Sequence, residues 1–305
     1  MEFFNPKSCV DFMGARFWTA ICSGLIFISS LLALGIYGLH WGLDFTGGTQ
    51  LTISYQNPVN LEHIRDALHK HGFTSAQVIS YGTSKDVLIS FGPRKDKQAL
   101  QLVDDVMHAL PGAIKQQVDY VGPQVGAELA YKGALAIFLA LIATMLYIAL
   151  RFEYRLAISS AVALIHDPVL ILGIFALFKI EFDLKALAGL LAVIGYSLND
   201  TIVVFDRVRE NFRKMRRANS IEIMNASINQ TLSRTIMTSL LTLCVVSSLF
   251  IYGGESIHGF ALALIIGIVI GTYSSIYVAG ALALYLGLNR KDFLPKAHKA
   301  IDNSP

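Results

Sequence analysis

Six runs of apolar residues, each about 20 long, constrain what this chain can fold into more than anything else in it. A helix needs about 20 residues to cross roughly 30 Å of hydrocarbon, and only helices or closed barrels satisfy their own backbone there. The runs fall at 17–39, 131–150, 156–178, 184–205, 232–252 and 260–286, which predicts an α-helical polytopic membrane protein with six transmembrane helices. Composition agrees. With 54% hydrophobic residues, only 15% charged and a mean hydropathy of +0.53, the chain is too apolar for a water-soluble fold. The first run lacks an A-x-A site and leads straight into a folded-looking segment, so it reads as a retained anchor and not a cleaved signal.

An even number of crossings puts both termini on one side, and the basic residues say which. Lys7 and Arg16 lie in the N-terminal segment 1–16, and Arg151 and Arg155 in the second loop. Arg207, Arg209, Arg213, Lys214, Arg216, Arg217 and Arg234 belong to the fourth loop, and Arg290, Lys291, Lys296 and Lys299 to the tail 287–305. The short loops opposite hold only Lys179 and Lys185, so both termini are expected in the cytoplasm and segment 40–130 outside it. The net charge of +3 is small and divided by membrane side, which argues against nucleic acid as a partner. Cys9, Cys22 and Cys244 offer neither a disulfide framework nor a CxxC metal site.

The outer segment 40–130 carries its own pattern. Strand alternation at 49–55, a helix at 60–70 capped by Asn60, and strands at 77–81 and 87–91 come first. A second helix follows, with Asp96 as a candidate cap, Leu100, Val103, Val106 and Leu110 as its apolar face, and a stop at Pro111 and Gly112 before a last strand at 114–121. The order βαββαβ predicts a small ferredoxin-like α+β domain inserted between helices 1 and 2. His63, His69 and His71 read as a solvated helix face, because no second cluster accompanies them. No catalytic constellation, metal site or cofactor motif is visible, and a domain that binds something extended is expected in place of an enzyme.

Ionisable groups inside spans are costly, about 2.5 to 3.5 kcal/mol for a charge at mid-bilayer on insertion scales, and therefore informative. In the fourth span Asn199, Asp200 and Thr201 form a polar step, and Ala188, Gly189, Ala192, Gly195, Tyr196, Asn199 and Asp200 share one helical stripe, which turns the carboxylate toward protein. Asp200 is either a group that gains and loses a proton or an interhelical hydrogen bond. In the third span His166 and Asp167 precede Pro168, and either relay a proton or satisfy the backbone that the proline frees. Arg234 either snorkels at its span's end or pairs with Asp200 or Asp206. Gly267, Gly271, Ser275 and Ala279 repeat every fourth residue and form a close-packing face for another helix of this chain or of a partner.

These residues match a known pattern. Asp44, Phe45, Thr46, Gly47, Gly48 and Thr49 follow the first span, and Gly122, Pro123 and Gly126 lead into the second. With His166 and Asp167, and the stretches 195–201 and 203–211, they make the chain resemble, over nearly its whole length, the SecF family of the bacterial SecDF complex. The resemblance implies a resistance-nodulation-division type of membrane core in the cytoplasmic (inner) membrane, completed to twelve helices by SecD. It further implies use of the proton motive force to promote preprotein translocation and release, after the ATP-driven step of SecA through SecYEG, with YajC and the YidC insertase as further neighbours and an unfolded polypeptide and protons as cargo. On that basis Asp200 matches a proton-carrying aspartate, Arg234 its electrostatic partner, and Asn199, Thr201, His166 and Asp167 supporting residues. The glycine motifs at Gly47, Gly48, Gly122, Pro123 and Gly126 either act as hinges for the outer domain or are ordinary turn chemistry. A passive scaffold with a polypeptide-binding outer domain is the competing reading. An intramembrane aspartyl protease lacks its GxGD frame, and an independent exporter would need a second half.

Overall fold

A computed structural model describes residues 10–93 and 99–293 of the 305. Lys7, Cys9, Asp96, Lys296 and Lys299, and the side chains of Leu100 and Lys291, lie outside the described residues. The elements run α1 (Arg16–Tyr37), β1 (His40–Trp41), α2 (Leu43–Thr46), β2 (Gly48–Ser54), α3 (Leu61–Lys70), β3 (Gln77–Tyr81), β4 (Thr83–Phe91), α4 (Ala99–Ala109) and β5 (Ile114–Val121). They continue as α5 (Pro123–Arg151), α6 (Tyr154–Leu177), β6 (Glu181–Phe182), α7 (Leu184–Lys214), α8 (Ser220–Tyr252) and α9 (His258–Tyr273), then a π-helical stretch (Ser274–Ala279) and α10 (Gly280–Tyr285). Six helical segments are long and apolar enough to cross a membrane, as the sequence pattern requires of a multi-pass membrane protein.

Three of these helices overrun their apolar stretches, because hydropathy ends at the membrane surface while the helical hydrogen bonds continue. α5 starts at Pro123, eight residues before its apolar run, with Gly122 as its N-cap. The polar end of α7 is held by Arg207 to Glu210 at 2.7 Å and Lys214 to Glu210 at 2.5 Å. α8 opens at a capping box in which the Asn219 side chain accepts from Glu222 N and Glu222 accepts from Asn219 N. The sixth span differs more: it changes from α to π hydrogen bonding at Ser274, directly beside buried Asp167.

The four-stranded outer sheet has the order β3-β4-β2-β5 with every pair antiparallel. Leu51 and Ile53 of β2 and Ile89 of β4 meet Ile64 and Leu68 of α3 and Val103 and Val106 of α4 in one buried cluster. Asn60 caps α3 by accepting from Glu62 N at 2.9 Å, and His63, His69 and His71 are exposed. Within the membrane part, Phe152, Phe205, Phe212 and Met224 centre one apolar cluster. Phe175, Phe182, Leu190 and Val193 centre another nearer the outer domain. Gly267 and Gly271 let α9 close on α7, since a Cβ at either would strike Val193 or Ser197. For those two glycines the packing partner is a helix of this same chain.

Candidate functional site

Three ionisable residues of the spans, His166, Asp167 and Asp200, are buried, the first two in a polar zone shared by α1, α6, α7 and the π stretch. Asp167 is 1% exposed, yet its carboxylate is fully engaged. Oδ1 meets His166 Nδ1 at 3.0 Å, and Oδ2 accepts from the hydroxyls of Ser197 at 2.5 Å and Ser274 at 2.8 Å. His166 Nε2 lies 2.8 Å from Ser23 Oγ, and the ring stacks on Phe27 at 5.8 Å. The chain Ser23, His166, Asp167, Ser197 therefore joins α1 to α7 through four side chains. Burial of an acid without such partners would be prohibitive, and here each of its two oxygens has at least one polar partner.

Asp200 sits one turn beyond Ser197, roughly 24 Å along α7 from its start, and is 3% exposed. In contrast to Asp167, its Oδ2 has no hydrogen-bond partner among the described residues. Ser239 and the charge of Arg234, both on α8, act on it. Ser239 also bonds Thr272 at 2.9 Å and accepts from Tyr196 at 3.3 Å, while the Thr201 hydroxyl returns to its own helix at Ser197 O, 3.3 Å. Among the described residues Arg234 forms no direct ion pair, and Asp206, its other candidate partner, pairs with Arg151 at 2.5 Å. Thr235 Oγ1 on α8 is a second buried polar atom without a partner. A carboxyl with one free oxygen can take up a proton there and become a donor, or lose it and stay acceptor only.

The stripe expected to face protein divides. Gly189 and Asp200 are buried and Tyr196 half-buried, but Ala188, Ala192, Gly195 and Asn199 are exposed on this chain, as is Arg234. Nothing stands within 4 Å of the place a Gly195 Cβ would take. The stripe is wider than the arc that α8 and α9 cover, so its far edge of small and polar residues is left without a neighbour among the described residues.

The glycine motifs form a second structure, a clasp at the base of the outer domain. Asp44 Oδ2 accepts from Leu184 N at 3.0 Å and Asp183 Oδ1 from Ala186 N at 2.7 Å, so two acids cap the helix that carries Asp200. The Thr46 hydroxyl donates to Gly42 O at 3.1 Å, and Phe45 stacks on Phe182 at 6.0 Å. β1 and β6 pair as a short parallel ladder, His40 with Glu181 and Trp41 with Phe182. Gly48 has φ +133° and passes so close to Phe91 O that a Cβ would stand 2.1 Å from it. A Cβ at Gly126 would come within 2.8 Å of Gly47 N, which fixes the first turn of α5, begun by Pro123, against α2. Burial lifts the carboxyls of Glu181 and Asp183 above their ordinary values, with Asp44 adding to both.

Ser23, Ser197, Ser239 and Ser274 belong to this machinery and carry no signal in the sequence. Serine is common in membrane helices, and only its register opposite an acid distinguishes it.

The chain is similar to known proteins in sequence and fold. The family described as "Protein export membrane protein SecD/SecF, C-terminal" matches residues 103–289, and the "SecD/SecF GG Motif" matches residues 32–59, which hold the clasp glycines Gly47 and Gly48. A Vibrio alginolyticus protein named protein translocase subunit SecF is 47% identical over 299 residues, covering 96% of this chain and 95% of that one. The crystal structure of SecDF from Thermus thermophilus, a translocon-associated membrane protein, superposes with TM-score 0.86 at 34% identity over 93% of this chain. SecDF in its super-membrane-facing form gives TM-score 0.70 at 35% identity, again over 93%. The chain spans 40% of the length of each solved SecDF chain. By fold, motif and identity over nearly its full length, the chain belongs to the SecD/SecF family of protein-export membrane proteins.

Proposed function

We propose that this chain is the SecF-type subunit of a bacterial Sec translocase accessory complex, and that Asp200 takes up and releases the protons that drive it. The observation that carries the reading is the contrast between two buried acids. Asp167 has polar partners on both of its oxygens, whereas Asp200, deep in α7, keeps one buried oxygen without a partner among the described residues. An uncommitted carboxyl at that depth has a function to serve or a large cost to bear.

In this account the outer domain faces the periplasm, both termini face the cytoplasm, and SecD supplies the other half of a twelve-helix core in the inner membrane. Ala188, Ala192, Gly195 and Asn199 form the edge of α7 where that half docks, with Arg234 nearby. Protonation removes the Asp200 charge and with it the attraction to Arg234, and α7 shifts against α8. The Asp44 cap on α7 passes that shift to the outer domain, which moves as one body with the start of α7 and draws or releases the emerging preprotein after SecA has acted through SecYEG. One charge moved through 100 mV is worth roughly 2.3 kcal/mol and one pH unit about 1.4 kcal/mol, enough to bias a two-state element. His166, Asp167, Asn199 and Thr201 orient the site, and YajC and YidC are expected to be neighbours of the complex.

The test is preprotein translocation in vesicles with and without an imposed proton gradient, wild type against Asp200→Asn. The account expects the variant to co-purify with SecD and to lose the gradient-dependent part of translocation. A passive scaffold would keep both.

A further inference from the structure

A groove of about 970 Å³ opens between α1, α6 and the end of the sixth span. Phe17, Ala20, Gly24 and Phe27 of α1 form one wall. Val162 and Ile165 of α6 form the floor, and Val278, Ala281, Leu282 and Tyr285 of the sixth span the other wall. It runs from the basic end of the bundle to His166 and Ser23 at its inner end. From Gly14 to Phe27 that is roughly 20 Å of helix, a little more than one bilayer leaflet. The walls are apolar nearly throughout, and Phe17 (67% exposed) and Tyr285 (87%) stand open at the mouth, where aromatic residues mark the membrane interface.

Charge at the mouth selects the occupant. Arg16 lines it, is exposed, and spends one guanidinium nitrogen on Met13 O at 3.0 Å. Among the described residues no carboxylate pairs with it. Ser220 and Ile221 line the same mouth at the start of α8, where the Asn219 cap satisfies only Glu222 N and Glu222 itself is turned to Asn219 N. Backbone donors of a first turn and the remaining donors of a guanidinium, above an apolar trough one leaflet deep, match a phosphate headgroup with an acyl chain below it. A transmembrane peptide would fill the trough but leave Arg16 without an anion.

We infer that this groove is a site for one anionic phospholipid of the leaflet at the basic end, its phosphate on Arg16 and an acyl chain against Gly24, Phe27 and Ala281. The bound chain would also wall off the Ser23 to Asp167 network from water at the point where His166 reaches the groove. The inference does not depend on proton coupling at Asp200.

Native mass spectrometry of the full chain in mild detergent, with any subunits that co-purify, tests it by titration with phosphatidylglycerol and, separately, phosphatidylethanolamine. Wild type is expected to hold one phosphatidylglycerol per chain in preference to phosphatidylethanolamine. Arg16→Ala should weaken retention about tenfold. Gly24→Phe, at a position with nothing within 4 Å of its Cβ, should abolish it by filling the trough. Equal retention of both lipids, or wild-type retention in either variant, would overturn the assignment, as would a polypeptide mass in place of the lipid. Should Gly24→Phe fail to fold, judged by its melting temperature, the headgroup preference and the Arg16→Ala arm decide alone.

Discussion

At the scale of single residues, the polar zone separates acids that hold the fold from the acid that is free to change state. Asp167 is tied to three partners, so Asp167→Ala takes the acceptor from two hydroxyls and from one imidazole nitrogen in a dry site. A loss of about 3 to 5 kcal/mol is expected, read as a lower melting temperature in detergent, with Ser274→Ala costing nearer 1 kcal/mol. Asp200→Asn should leave the melting temperature almost unchanged, because its Oδ2 has no partner to lose. Glu181, outside the spans, gives a pH test. Burial first, then Asp183 and Asp44, raise its carboxyl above the ordinary value, against the opposing pull of Leu43 N and His40. A group that binds its proton more tightly when folded costs stability above its folded pKa and none below its unfolded one. Glu181→Gln is therefore expected to raise the melting temperature at about pH 8 and leave it unchanged at about pH 4. A rise of equal size at both would contradict the assignment. Asp200, His166 and Asp167 were legible in the sequence because charge within an apolar run is rare. Ser23, Ser197 and Ser274 were not, since their role depends on which helix faces which.

Secondary-structure elements follow the same division between local signals and tertiary ones. The existence of six long helices and the order of strands and helices between the first two were readable, because apolar runs and alternation are local. Their ends were not. α7 and α8 continue in polar sequence through ion pairs and a capping box, and the two-residue strands β1 and β6 exist only because the clasp brings them together. The π stretch at Ser274–Ala279 had no sequence mark either, and it is the element that presents Ser274 to Asp167. The crowding at two of the motif glycines also needed the structure: Gly48 and Gly126 stand where backbone approaches too closely for any Cβ. For the clasp, Asp44→Ala is expected to cost about 1 kcal/mol by uncapping α7, with Asp44→Asn restoring most of it. Hydrogen exchange at the Leu184 amide measures this, fast in the alanine variant and slow in the asparagine one. Equal protection in all three would mean that the outer domain does not hold α7.

At the scale of the whole molecule, one exposed strip lies beside the buried acid. Ala188, Ala192, Gly195 and Asn199 leave a strip of small and polar residues uncovered beside the buried acid, and the chain amounts to 40% of the solved SecDF chain it matches. Gly195→Trp should leave the isolated chain folded, since nothing stands within 4 Å of that position, and reduce SecD co-purification at least tenfold. Unchanged co-purification would place the partner elsewhere. The sequence predicted that this stripe meets protein, but not that Ala188, Ala192, Gly195 and Asn199 are left exposed in this chain. The central claim is that Asp200 itself exchanges protons, and the most direct measurement is proton uptake by proteoliposomes containing the assembled complex, followed with an enclosed pH dye after an acid jump. The account expects uptake with wild type, reduced but measurable uptake with Asp200→Glu, and none above protein-free liposomes with Asp200→Asn. Uptake by the asparagine variant at the wild-type rate would contradict it.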